Sequence, residues 1–102
     1  MEGVVVYYTY ILTDEEKSTL HVGIANDLIT KIDEHKQDIE GKGIVEMQGT
    51  NKLVYFESHD DFESAAEMET QLNNSPKDKN IDLIDTVNPE WKDLFFELWE
   101  NA

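Results

Sequence analysis

Stretches of apolar and polar residues divide this chain into short segments with the patterns of strands and helices. Residues 4–13 are rich in β-branched and aromatic side chains, and residues 19–24 repeat this pattern after a polar stretch. Such runs are typical of β-strands, and the short polar segment between them predicts an antiparallel hairpin. Residues 52–58 have the same character and predict a third strand.

Apolar residues that recur every three or four positions predict the first helix. It is expected over residues 27–40, with Asn26 or Asp27 as its cap and Gly41 as its end. Residues 41–51 hold three of the five glycines, which indicates a loop before the third strand.

A second long helix is expected to begin within residues 58–61 and to end at a break that contains Pro76. Its inward face is predicted to carry Phe62, Ala65, Ala66, Glu69 and Leu72. Glu69 therefore lies among apolar residues, where a carboxylate needs a cation or a hydrogen-bonding partner. A salt bridge to Lys31 satisfies this need as well as a metal ion does, and both alternatives stay open.

The last part of the chain predicts two more helical segments. Residues 77–87 favour a helical turn or a short helix, and a final helix is expected from Pro89, with Asn88 as its cap. Its apolar stripe has helical spacing and comprises Trp91, Leu94, Phe95, Leu98 and Trp99. Apart from the short segment, the order is β-β-α-β-α-α. It predicts an α/β (α+β) fold, with a small three-stranded antiparallel sheet flanked by helices, as one domain over residues 1–102.

Charge narrows the choice of partners. The 102 residues include 23 Asp and Glu, 8 Lys and no arginine, which gives a net charge of −15. Such a surface repels DNA, RNA and anionic membranes and favours basic proteins and divalent cations. A saline habitat is an alternative explanation of the acidity, and in that case the charge says nothing about partners.

Other compositional features exclude several kinds of site. The chain has no cysteine, which excludes disulfides, thiolate zinc sites and cysteine nucleophiles and fits a cytoplasmic location. No apolar run approaches the roughly 20 residues that cross a bilayer, so no membrane partner is expected. The apolar stripe of the last helix would form a dimer surface if it were exposed, and both a monomer and a homodimer are consistent with the sequence.

Several motifs, met in order along the chain, carry a resemblance to a known family. They are Tyr-Thr-Tyr-Ile-Leu at 8–12, Leu-His-Val-Gly-Ile-Ala-Asn-Asp-Leu at 20–28, Glu-His-Lys at 34–36, Lys-Leu-Val-Tyr-Phe-Glu at 52–57, Glu69, and Asn-Pro-Glu-Trp-Lys-Asp-Leu at 88–94. The chain resembles the GIY-YIG nuclease superfamily. It is most similar to small single-domain members related to the N-terminal nuclease module of the C component of excinuclease ABC. The likeness covers nearly the whole chain and implies the GIY-YIG fold.

The resemblance also implies a set of site residues. It implies one Mg²⁺ or Mn²⁺ ion at Glu69, a water activated by a tyrosine or histidine, and an arginine on the scissile phosphate. The matching residues are Tyr10 in the first half-motif, His21 in place of the second tyrosine, Lys31 in place of the arginine, His35 one turn further, and Asn88 as a late asparagine. Each also has a structural interpretation: Tyr10 as core, the histidines as polar edge residues, and Asn88 as a helix cap.

Two functions follow from this match and its departures. Lysine does not reproduce the bidentate grip of arginine on a phosphate. The first hypothesis is therefore a degenerate domain, weak or inactive as a nuclease, that acts as an acidic binding module for a basic protein partner. The alternative is an active Mg/Mn-dependent, structure-selective endonuclease whose substrate is DNA.

Overall fold

A computed structural model of the chain describes residues 6–14, 16–17, 19–37 and 52–101, with the backbone alone for residues 35–37 and 99–101. The elements in these residues are β1 (Tyr7–Thr13), β2 (Leu20–Ala25), α1 (Leu28–Gln37), β3 (Lys52–His59), α2 (Phe62–Asn74), α3 (Lys77–Val87) and α4 (Phe95–Asn101). The predicted α+β fold class is confirmed. The loop predicted at 41–51, the start of the first strand and the end of the first helix lie outside the described residues.

The three strands form one antiparallel sheet in the order β2-β1-β3. This confirms the predicted hairpin, in which Tyr10 pairs with Gly23 and Leu12 with His21. Because side chains alternate along a strand, Tyr10 and Leu12 point to one face of the sheet and Ile11 to the other. All three are buried, so the central strand β1 is covered on both faces.

Two hydrophobic cores lie on the opposite faces of this sheet. On the face of Tyr10, the buried residues include Leu28 and Ile32 of α1 and Phe95 of α4. On the face of Ile11, they include Leu72 of α2, Ile84 of α3 and Trp91. Burial of one such aliphatic or Phe side chain contributes about 1.5–3 kcal/mol, so both layers of helices are held on the sheet mainly by these side chains.

Local caps fix the starts of α1 and α2 where the sequence predicted them. Asp27 accepts hydrogen bonds from the Thr30 amide at 3.2 Å and the Thr30 hydroxyl at 2.9 Å. Asp61 accepts one from the Ser64 amide at 2.7 Å. Hydrogen bonding to Ser64 also lowers the pKa of the Asp61 carboxyl, since it favours the charged form. Both caps orient the helix starts that border the site.

The last helix begins later than predicted, and Asn88 is not its cap. The Asn88 amide donates to the Ile84 carbonyl at 2.7 Å, which ends α3, whereas α4 begins only at Phe95. Trp91 has a φ of 54°, outside the right-handed helical region. Asp93 instead starts α4, because its carboxylate accepts from the Phe95 amide at 3.1 Å.

Contacts with distant residues explain this loop. The Asn88 side chain donates to the Val54 and Lys92 carbonyls at 3.1 and 2.9 Å and accepts from the Lys92 amide at 3.0 Å. Asp93 also accepts from the Leu53 amide of β3 at 3.1 Å. The Lys17 ammonium, in the β1–β2 turn, lies 4.9 Å from the centre of the Trp91 ring. These contacts favour a loop over a continuous helix.

In the part of the chain that the structure describes, no helix combines the length and the apolar character that crossing a membrane requires.

Candidate active site

The site is built around Tyr10, whose ring lies across the neighbouring strand of the hairpin. A Cβ atom built on Gly23 would lie 2.5 Å from the Tyr10 Oη and 2.6 Å from its Cζ. Only a residue without a side chain at position 23 lets the ring take this course. Tyr10 is 1% exposed, so its phenol is held in place beneath the surface.

Burial of the Tyr10 phenol, followed by the negative charges of Glu69 and Glu34, raises its pKa from 10.0 to about 12. The phenol is therefore protonated at neutral pH, where it is a hydrogen-bond donor and not a base. The two carboxylates lie close enough to Tyr10 to act on it electrostatically. Glu69 on α2 and Glu34 on α1 thus belong to the surroundings of the same phenol.

His21 lies beside Tyr10 on the same face of the sheet. It is half-buried on β2, and the centres of the two rings are 6.3 Å apart. Imidazole accepts protons near neutral pH, which makes His21 a better candidate for a general base than the protonated Tyr10. The predicted pair of Tyr10 and His21 is thus brought together by the hairpin register.

A groove of about 490 Å³ opens between the end of β2, α1 and the start of α2. Its lining includes Asp27, Lys31 and Glu34, all exposed. Lys31 and Glu34 are three residues apart on α1 and share one side of the helix. Among the ion pairs of the described residues there is none between Lys31 and Glu69, so the salt bridge considered as one alternative for Glu69 is not formed. Lys31 instead lines the groove.

Glu69 is the residue that the resemblance implies as the ligand of a divalent cation. Glu69 is half-buried on α2, and no group of three or more His, Cys, Asp or Glu suited to hold a metal occurs among the described residues. Mg²⁺ keeps several waters and is commonly held by one or two carboxylates together with substrate phosphates. A single carboxylate such as that of Glu69 is compatible with a Mg²⁺ or Mn²⁺ ion, which when bound would supply electrostatic stabilisation of a phosphate, and the role of Glu69 as a metal ligand stays a prediction.

One comparison with known families gives a match. A family model described as the GIY-YIG catalytic domain matches residues 6–82. The chain belongs to the GIY-YIG family. No curated protein and no solved structure matches it significantly. The GIY-YIG match includes β1, β2 and Glu69 but ends before residues 88–94, and it places the chain in a nuclease-type superfamily whose members are generally metal-dependent.

The other two predicted site residues are His35 and Asn88. His35 lies on α1, and its side chain is outside the described part of the chain. Asn88 does not line the groove, is buried, and uses its side-chain amide in hydrogen bonds to Val54 and Lys92. Its catalytic role stays a prediction, whereas its position gives it a structural role.

Two features of the GIY-YIG site were missed from the sequence. Glu34 was not among the predicted site residues, yet its charge raises the pKa of Tyr10. Phe62 was predicted to face inward but is 54% exposed and lines the groove beside Tyr7. The spacing of three residues between Lys31 and Glu34 could have indicated that Glu34 shares a helix face with a predicted site residue. No local sequence pattern indicated that Phe62 would be exposed.

Replacing Gly23 with alanine is expected to lower the free energy of unfolding by about 1–3 kcal/mol, because the new methyl group overlaps the buried Tyr10 ring. Urea unfolding followed by fluorescence measures this loss. In a Tyr10→Leu background the shorter side chain removes the overlap, and the same alanine should cost much less. An equal loss in both backgrounds would show that contact with Tyr10 is not the reason for glycine at this position.

Proposed function

We propose that this GIY-YIG domain is an acidic binding module for a basic protein partner and that it cleaves DNA slowly or not at all. The observation that carries the proposal is the ionic make-up of the groove. Lys31 is accompanied there by the carboxylates of Asp27 and Glu34. Glu34 of the groove and Glu69 of α2 both act electrostatically on the Tyr10 phenol, so negative charge also predominates around that phenol.

The chemistry of phosphodiester cleavage disfavours this arrangement. The transition state spreads charge over several phosphate oxygens, and a planar guanidinium contacts two of them at once. Lys31 offers a single point of charge on a flexible stem. Loss of one well-placed donor to a developing oxyanion typically slows a reaction by about 10²–10³-fold.

The charge of the whole chain acts in the same direction. With a net charge of −15 and no arginine, the domain repels a polyanion and attracts a polycation. Exposed charges interact over a screening length of about 8 Å at physiological salt. The attraction between this domain and a basic protein therefore acts mainly when their surfaces are in contact.

The proposal is tested with an oligoarginine peptide, whose binding to the domain is followed by fluorescence anisotropy at increasing salt. We expect binding that weakens steeply as salt rises, and recovery of basic proteins in a pull-down under the same conditions. An unrelated acidic protein of similar size and net charge is the control, and it should bind more weakly. Recovery of only acidic or neutral proteins, with no effect of salt, would contradict the proposal.

The second candidate is an active metal-dependent DNA endonuclease, and the grouping of Tyr10, His21 and Glu69 favours it. In this case Glu69 holds the Mg²⁺ or Mn²⁺ ion, His21 accepts the proton of the attacking water, and the Tyr10 phenol donates a hydrogen bond. Lys31 then contacts the phosphate. Incubation with branched and single-stranded DNA plus either metal tests this candidate. Cleavage that persists unchanged in Glu69→Ala would indicate a contaminating nuclease.

A further inference from the structure

An aromatic pair stands at one side of the groove. Tyr7 of β1 and Phe62 at the start of α2 meet edge to face, with ring centres 5.6 Å apart and planes at 76°. Both line the groove, and Phe62 is 54% exposed. Because more than half of the Phe62 side chain is exposed, part of its ring is open to a ligand in the groove.

Carboxylates stand at the other side of the groove. Asp27 is held at the start of α1 by its two hydrogen bonds with Thr30, which keep its charge at the rim. Glu34 is exposed two α1 turns further along, and no hydrogen bond to its side chain is found among the described residues. Among the described residues, the lining thus contains two carboxylates and one cation, Lys31. The groove therefore combines an exposed aromatic ring with an excess of negative charge.

A guanidinium group matches both sides at once. Its planar face stacks on aromatic rings, and its edge donates two parallel hydrogen bonds to a carboxylate. A phosphate or a nucleic acid would meet the carboxylates unfavourably. Since the chain contains no arginine, any guanidinium in the groove comes from another molecule.

We infer that this groove binds an arginine side chain of the basic partner, stacked on Phe62 and paired with Glu34. The inference rests on the proposed function and adds to it the place and the residue type that are recognised. It also accounts for the exposure of Phe62 in the free protein, since the ring would be covered when the partner's arginine binds.

The test compares oligoarginine and oligolysine peptides of equal length, labelled for fluorescence anisotropy, at low salt. The wild-type chain is expected to prefer oligoarginine several-fold, and Phe62→Ala to lower that affinity by about 5-fold. Glu34→Gln is expected to lower it by a similar factor, since it removes the paired charge but keeps the shape. Phe96→Ala and Glu97→Gln are the matched controls on α4, because Phe96 is 60% exposed and Glu97 is an exposed carboxylate.

The possible outcomes separate this inference from the proposed function. If wild type binds oligoarginine but Phe62→Ala and Glu34→Gln lose no more affinity than their controls, the groove is not the binding place and only the inference is wrong. If wild type binds neither peptide, both are wrong. Glu34→Gln decides the matter if Phe62→Ala fails to fold. Binding of a single-stranded oligonucleotide that depends on Phe62 would show that the groove takes nucleic acid and would overturn the inference.

Discussion

Replacing Lys31 with arginine is expected to raise the rate of DNA cleavage by about 100-fold over wild type in Mg²⁺ or Mn²⁺. Lys31 is exposed on α1 and lines the groove, so the longer side chain fits without disturbing the core. Arginine would provide a two-point contact with phosphate at the position that the resemblance matches to the family's arginine. The rate is measured on branched and single-stranded DNA under single-turnover conditions.

Two variants control this experiment. Lys92→Arg makes the same chemical change on an exposed side chain that pairs with Glu90 at 3.6 Å, away from the groove, and it should leave the rate unchanged. Addition of Glu69→Ala to Lys31→Arg should abolish the gain. If Lys31→Arg cleaves no faster than wild type, the missing guanidinium is not what limits the domain, and the excess of carboxylates around the groove becomes the better explanation.

Replacing Asn88 with alanine is expected to lower the free energy of unfolding by about 3 kcal/mol. The change removes three hydrogen bonds of a buried side chain, two to carbonyls and one from the Lys92 amide. One of the carbonyls that lose a donor belongs to Val54 of β3, which is fully buried. A buried polar group without a partner costs about 1–3 kcal/mol, so the loss exceeds that of an exposed amide. Chemical unfolding in urea measures it.

Asn73→Ala is the matched control for this change, because Asn73 is an exposed asparagine near the end of α2. Its effect should stay within about 0.5 kcal/mol. An Asn88→Ala protein as stable as wild type would show that residues 88–94 are held by other contacts. If Asn88→Ala leaves the stability unchanged but abolishes the cleavage gained by Lys31→Arg when the two changes are combined, the predicted catalytic role of Asn88 is supported.

Local patterns were sufficient to predict the strands, α1 and α2. The caps at Asp27 and Asp61 act on residues only three positions away, so the signal and its partner lie in the same short stretch of sequence. The hairpin likewise joins two strands that are neighbours in the sequence, and its register places Tyr10 opposite Gly23.

The start of the last helix could not be predicted in this way. The hydrogen bonds that replace a helix at 88–94 join Asn88 to Val54 and Asp93 to Leu53, which are 34 and 40 residues distant in the chain. Helical spacing predicts one shared face for Trp91 and Phe95, but Trp91 lies in a loop and packs in the core on the opposite face of the sheet from Phe95. Both residues are buried, so the pattern identified these two core residues but not the backbone conformation between them.

The candidate site shows the same division. The family resemblance predicted the candidate site residues Tyr10, His21, Lys31 and Glu69. It did not predict that burial raises the pKa of the Tyr10 phenol or that Glu34 contributes to this shift. Both effects depend on how closely α1 and α2 pack on the sheet. The exposure of Phe62 also follows from that packing, because its helical position alone predicts an inward direction.

The two cores on opposite faces of the sheet determine where this chain can be shortened without losing its fold. The segment shared with the family ends at residue 82, yet Ile84, Trp91 and Phe95 beyond it fill the cores on both faces. The stacking of Lys17 on Trp91 joins the first turn of the chain to one of its last loops. A boundary taken from the family match would cut through the packed interior, so the smallest stable fragment of this chain must extend past that match into α4.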